Sequence, residues 1–238
     1  MFKASNEQSA IIQQIITGKE NVVVKAGPGS GKTATAIEAM KLLPESKSVC
    51  FVCFNKKIAE ENATKVPNRN IQDSTLNSIG WCACLKGLNK KGYQRVDEYK
   101  TQNILQSHLD GKWDKEAKAF KFSNVENEKT YYKTVGAVKQ LVSLAKANAV
   151  YVADKSALEE IVDTYQIDVK IEYDDFMNLA LAIYTKCIND TSRLDWDDQI
   201  FMTMKNNYPL PKFDYVFVDE FQDLNKVQFD LILQLDKK

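Results

Sequence analysis

A lone histidine, an odd count of five cysteines and the want of any apolar run near the roughly twenty residues that span a bilayer set the first limits on this 238-residue chain. His108 has no nucleophile pattern around it and reads as a surface or packing residue. Cys50, Cys53, Cys82, Cys84 and Cys187 are too scattered for a secreted disulfide scaffold, so reduced thiols are expected. Cys50 and Cys53 sit in an apolar run where odd spacing sends them to opposite faces of a strand, which favours packing over zinc. The opening Met1-Phe2-Lys3-Ala4-Ser5 lacks the apolar stretch of a secretory leader. A soluble, cytoplasmic chain without membrane contact is the expectation. An excess of either charge is also missing: 32 basic residues offset 32 acidic ones, so any polyanion site has to be local.

What is present suffices for a core, with 44% hydrophobic and 10% aromatic residues. Ser5 with Gln8 three residues on, then Ile11, Ile12, Ile15 and Ile16, then Gly18, predicts a capped amphipathic helix. Residues 21–26 form a β-branched run, 27–31 a glycine-rich turn, and 32–43 a helix ended by Pro44. Further strands are predicted at 48–54 and near 71–75, with a helix around 56–65 between them. From about Cys84 the texture turns lysine-rich and helical, as in 134–150 and 173–186. The strand pattern returns at 213–218, a run that reads as a buried strand, followed by a helix over 225–235. The order predicts an α/β fold with a parallel sheet, residues 1–84 and 190–238, interrupted by a mostly helical insertion, 85–189.

Two motifs carry chemistry. Ala26-Gly-Pro-Gly-Ser-Gly-Lys32-Thr33, between a strand run and a helix, is a phosphate loop with Ala in place of the first Gly of the strict pattern. Gly27, Gly29 and Gly31, with Pro28 and Ser30 between them, let backbone N–H groups turn toward the phosphates of ATP. Lys32 supplies a mobile positive charge, and the Thr33 hydroxyl is placed to ligate Mg2+. Asp219-Glu220-Phe221-Gln222-Asp223 follows the strand ending at Val218, where an open α/β sheet presents ligands. Asp219 is suited to hold magnesium through its hydration shell, and Glu220 to orient and deprotonate an attacking water. Two consecutive carboxylates there favour an ATP hydrolase over a kinase.

These motifs, with Gln8 eighteen residues ahead of Ala26, resemble the UvrD/Rep-type superfamily 1 DNA helicases. The resemblance covers the α/β portions at both ends and is weak through the middle. It implies a P-loop, RecA-like sheet with helices on both faces, and a motor that moves along single-stranded or partly duplex DNA, 3′ to 5′. It implies that Gln8 reads the adenine edge, a role compatible with its place in the capping box, and that Gln222 senses the γ-phosphate. DNA contact is implied for Phe54, Asn55 and Lys56 after the second strand, and for Thr75 and Asn77 after the third. Here the sequence departs from the family: Cys53 holds the usual stacking Phe position, and Asn77 replaces the usual His. Phe54 therefore reads equally as a stacking or a core residue.

In the insertion, Lys86, Lys90, Lys91 and Arg95, with Trp81 and Tyr93, form one basic group, and Lys112, Lys115, Lys118 and Lys121 another, interleaved with Asp114 and Glu116. The first is the better candidate for DNA. Asp195-Trp196-Asp197-Asp198 reads as the negatively charged first turn of an apolar helix. By the resemblance, a further strand of the sheet and a second motor domain with an arginine finger lie beyond residue 238, possessed by the same polypeptide or a separate one. This stretch is then expected to bind ATP and DNA but to turn over slowly, with nucleoid or nuclear association once DNA-bound. The competing classes are a nucleotide-binding regulatory or DNA-binding interaction module, and a P-loop kinase for a small molecule.

Overall fold

A computed structural model describes residues 3–18, 20–52, 71–91, 94–117 and 119–237. The chain divides into an α/β unit, residues 1–79, 210–224 and 229–238, and a helical unit, residues 80–209 and 225–228.

The α/β unit begins with α1, Asn6–Thr17, whose capping box is complete. Ser5 Oγ accepts from Gln8 N at 3.2 Å, and Gln8 Oε1 accepts from Ser5 N at 2.9 Å. Helix α2, Lys32–Leu42, stops with its cap at Leu43, just ahead of Pro44, where the helix cannot continue. Strands β1 (Val49–Val52), β2 (Ile71–Ser74) and β5 (Tyr215–Val218) form a parallel sheet in the order β2-β1-β5. Val52 lies opposite both Ser74 and Val218, so the carboxyl ends of all three strands share one edge. Ile37 and Met40 of α2 pack with Leu43, Val49 and Phe51 to make the core of this unit. At the opposite edge Asp214 joins the starts of β1 and β5. It accepts from Ser48 N at 2.9 Å, Ser48 Oγ at 2.7 Å and Lys237 Nζ at 2.7 Å, and these partners, Lys237 foremost, hold its carboxyl well below the usual range.

Two strand expectations need correction. Residues 21–26 lie outside the sheet, and Val23 is 82% exposed. The run at 213–218, read as buried, is half-buried from Tyr215 to Val218. Both have the same cause: β1 already has β2 on one side and β5 on the other, and no described strand flanks the outer edge of β5 or the 21–26 segment. The predicted helix at 56–65, and Cys53 to Lys56 with it, lie outside the described residues.

The helical unit contains most of α3 (Leu76–Gly87), then α4 (Lys100–His108), a hairpin of β3 (Lys112–Asp114) and β4 (Ala119–Lys121), α5 (Val125–Ala147), α6 (Lys155–Thr164), α7 (Tyr173–Asn189) and α8 (Asp198–Lys205). Helices α5 and α6 start at Asn124 and Asp154, whose side chains accept from Asn127 N and Ala157 N. Val138, Leu141 and Val142 of α5 meet Phe176, Met177, Ile183 and Tyr184 of α7 in the largest core cluster. Gly80 allows α3 to pack on α8: a Cβ there would lie 2.6 Å from Gln199 O. A 3-10 turn, Phe221–Asp223, and α9, Lys226–Leu233, close the order. Cys84 and Cys187 are buried in the helical unit and Cys50 in β1, and burial pushes the Cys84 thiol up to about 11.

A cluster of four charged side chains lies inside the helical unit. Lys100 and Lys146 are both 0% exposed, as is Asp198, and Asp195 is 9% exposed. Lys100 Nζ lies 2.6 Å from Asp198 Oδ2, and Lys146 Nζ lies 2.6 Å from Asp195 Oδ2 and 2.8 Å from Asp198 Oδ1. The two aspartates also accept each other's backbone N–H, at 3.0 and 2.9 Å, which starts α8. The acidic first turn expected at 195–198 is thus present, and it points inward onto two lysines. Burial works against the Lys146 charge, but Asp198 and Asp195 outweigh it and hold its pKa above the ordinary lysine value.

Candidate nucleotide-binding site

The loop between residues 26 and 32 is built by two glycines in the left-handed region, Gly29 at φ 72° and Gly31 at φ 84°, where a side chain would be strained. A Cβ at Gly27 or Gly29 would meet nothing within 4 Å, so the loop is open rather than folded shut. Gly31 starts α2 and offers no side chain to cap it, which leaves the first N–H groups of the helix facing the loop. An anion is the partner such a helix start accepts.

Gln8 ties α1 to this loop, because its Nε2 donates to Ser30 O at 3.3 Å while its Oε1 serves the capping box. Lys32 Nζ reaches back to Ala26 O and Gly27 O, both at 3.4 Å. These are long contacts, readily exchanged for stronger ones to a charged oxygen. Thr33 Oγ1 donates to Asp219 Oδ2 at 2.8 Å. Residues 186 positions apart in sequence therefore meet at the end of β5, and both present hard oxygen donors of the kind magnesium prefers.

Glu220, directly after Asp219, is exposed and adopts φ 50°, an uncommon backbone state for a residue with a side chain. That turn sets its carboxylate at the mouth of the sheet, where Gln222 Nε2 donates to Glu220 Oε2 at 2.6 Å. Gln8, Ser30, Lys32, Thr33, Asp219, Glu220 and Gln222 are all in the α/β unit.

Among the residues expected at DNA, Thr75 follows β2 on the same sheet edge as Asp219. Its hydroxyl accepts from Ser78 N at 3.2 Å, so it caps α3. Asn77 is exposed on the first turn of that helix. Phe54, Asn55 and Lys56 lie outside the described residues. Within the basic group of the helical unit, Lys90 donates to Ser192 O at 3.0 Å and Trp81 packs on the core, so both have structural work; Tyr93 lies outside the described residues. In the second group Lys121 pairs with Asp114 across the hairpin, and Lys118 lies outside the described residues. His108 is exposed and its Nδ1 lies 2.8 Å from Lys186 Nζ; partial burial and that cation lower its pKa. No helix among the described residues is long and apolar enough to cross a membrane.

Comparison with known proteins gives a consistent result. The family described as UvrD/REP helicase N-terminal domain matches residues 4–238. A relative from Mycoplasma capricolum, "Probable DNA helicase II homolog", is 27% identical over 234 residues, covering 89% of this chain and 30% of the relative. "ATP-dependent DNA helicase PcrA" of Staphylococcus aureus is 24% identical over 258 residues, covering 98% of this chain and 32% of its own length. The protein of that name from Staphylococcus epidermidis is 23% identical over 262 residues, with the same coverage of 98% and 32%. The chain thus spans about a third of the length of these relatives.

Proposed function

We propose a function from one premise: the chain belongs to the UvrD/REP helicase N-terminal domain family. On that premise it is the ATP-binding front part of a DNA helicase or translocase, in the setting of DNA repair or replication. The observation that carries this reading is the 2.8 Å contact between Thr33 and Asp219, which joins the phosphate loop to the carboxylate motif.

In this reading the backbone N–H groups of Gly27, Gly29, Ser30 and Gly31, in the turn that Pro28 shapes, receive the phosphates, together with the start of α2. Lys32 exchanges its two long carbonyl contacts for the β- and γ-phosphate oxygens. Thr33 and Asp219 hold magnesium, which when bound neutralises charge developing on the phosphate oxygens. Glu220 orients the attacking water and takes its proton. Gln222, bonded to Glu220, is placed to exchange that partner for the γ-phosphate and so couple nucleotide state to the base. Gln8 gives the adenine edge one of the two amide contacts it now makes to Ser5 and Ser30.

DNA lies across the carboxyl edge of the sheet, with Asn77 bonding a phosphate and Thr75 fixing the turn that presents it. Phe54, Asn55 and Lys56 belong to the same contact by resemblance, and 3′ to 5′ movement follows from the family. The motor domain takes residues 1–84 and 190–238, the insertion 85–189; by compactness alone 80–84, 190–209 and 225–228 go with the helices. The sheet is the RecA-like one, with helices on both faces. By the resemblance, a further strand between 21–26 and β5 comes from sequence past residue 238 or from a separate polypeptide carrying the second motor domain.

The test is ATP hydrolysis, with and without single-stranded DNA, by a protein continued past residue 238. Hydrolysis should rise with DNA. Nucleotide binding without stimulation would favour a regulatory module instead, and phosphate transferred to an added acceptor would favour a kinase.

A further inference from the structure

We infer that Phe229 is a positioning residue for ATP hydrolysis: through the ring of Phe221 it fixes the turn that aims Glu220 at the attacking water. This role presupposes that Glu220 is the base, as proposed above; neither ring has a part in that reading.

Glu220 stands in the left-handed region, at φ 50° and ψ 45°. A residue with a Cβ stays there only when its surroundings hold it. Asp219 Oδ1 accepts from Glu220 N at 3.1 Å, and Glu220 O accepts from Asp223 N at 3.0 Å, which closes the 3-10 turn Phe221–Asp223. These two bonds join residues one and three positions apart, so they shape the turn without fixing the direction in which it faces. A third contact sets the ring of Phe221 against that of Phe229, with centroids 5.8 Å apart and planes at 75°, the edge-to-face arrangement that aromatic pairs favour. Of the three, only the ring contact reaches out of the turn, to α9.

Burial accounts for little of what either ring does there. Phe221 is 45% exposed and Phe229 38%, whereas Val227, Leu231 and Leu235 take the buried positions of this segment. The helix on which Phe229 sits has a firm start, because Asn225 and Gln228 each accept the other's backbone N–H at 3.0 Å. Phe221 is thereby pinned to a regular element, and it lies in sequence between Glu220 and Gln222, whose side chains are joined at 2.6 Å. Anchoring it fixes the backbone of the base on one side and of the amide that restrains the base on the other. Both of those side chains are exposed, so their direction depends on the backbone that carries them. A base has to lie within hydrogen-bond reach of the proton it takes, and a misplacement of about 1 Å can cost on the order of a hundredfold in rate.

Single-turnover ATP hydrolysis, which reads the chemical step, and ATP–Mg titration test this on a protein continued through the second motor domain, with melting curves to verify folding. Phe229→Ala should slow hydrolysis roughly tenfold to a hundredfold with ATP–Mg affinity unchanged. Phe229→Tyr, which keeps the ring, should restore the rate. In the Glu220→Gln background Phe229→Ala should have little further effect, because the group it aims is already gone; a merely structural role would slow both backgrounds alike. Where alanine lowers the melting temperature, Phe229→Leu, which keeps apolar volume without the ring, gives the same comparison. The inferred role is overturned if loss of the ring leaves the rate unchanged while Glu220→Gln abolishes it, if affinity falls as far as the rate, if tyrosine does not restore the rate, or if the loss is equal in both backgrounds. A Glu220→Gln protein that hydrolyses at the wild-type rate would overturn the assignment of the base, and this role with it.

Discussion

Replacing Lys146 with methionine is expected to destabilise the helical unit by about 3–5 kcal/mol, the cost of leaving a buried charge without its partner. In the native cluster two lysines balance two aspartates, and every charge has an opposite within 2.8 Å. Methionine keeps most of the side-chain volume but removes the cation, leaving Lys100 alone against Asp195 and Asp198. The decisive comparison is the pair of substitutions Lys146→Met and Asp195→Asn. The asparagine oxygen still accepts from Asp198 N, and the remaining Lys100–Asp198 pair is neutral, so at least half the loss should return. Urea unfolding followed by the helical circular dichroism signal measures both. If the double variant is no better than the single one, lost packing rather than unpaired charge is the cause. The pH dependence has two signs. Asp195 is depressed against the burial that would raise it, by Lys146 first, so its contribution is present above its unfolded pKa and lost as pH falls through the folded one. Lys146 is raised, so its contribution is present below its unfolded pKa and lost as pH rises through the folded one. The Asp195 and Lys146 contributions are therefore both fully present from about pH 4 to about pH 10, whereas Asp198, whose pKa burial raises, works the other way and disfavours folding as pH rises through its folded value.

Glu220→Gln is expected to reduce ATP turnover by roughly 10²–10⁴-fold in a protein continued through the second motor domain, while ATP–Mg binding is retained. The amide keeps the shape of the carboxylate and its oxygen can still accept from Gln222, but it cannot take a proton from water. Asp219 and Thr33 are untouched, so the magnesium donors persist. Steady-state phosphate release and nucleotide titration on the same preparation separate the two effects. Loss of binding in parallel with turnover would make Glu220 a nucleotide-holding residue instead of a base.

Much of the site was legible because its signals are local. The Ser5–Gln8 capping box, the glycines at 29 and 31 and the carboxylates after Val218 each announce themselves within a few residues, and their places in the structure follow. Sheet order was less legible. An apolar β-branched run at 21–26 satisfies every local rule for a strand, but a strand exists only beside a partner, and local sequence does not say which neighbour is present. The ion cluster is hidden for a related reason: Asp195 and Asp198 read as the negatively charged first turn of a helix, and their partners Lys100 and Lys146 lie 98 and 49 residues away. The helix over Val125–Ala147 extends well ahead of the stretch 134–150, whose apolar spacing marks only its buried part. Asn124 with acidic residues at 126 and 128 is the helix-start signature that marks its beginning.

The account rests on a triphosphate and its magnesium being held between the loop at Lys32 and the carboxylate of Asp219. Calorimetric titration of ATP with magnesium into this chain, and into its Lys32→Ala variant, tests that directly. Saturable binding at one site by the wild-type chain, weakened roughly 30-fold or more by loss of the lysine charge, is the predicted result. No uptake by the wild-type chain, or equal affinity in the variant, would contradict it.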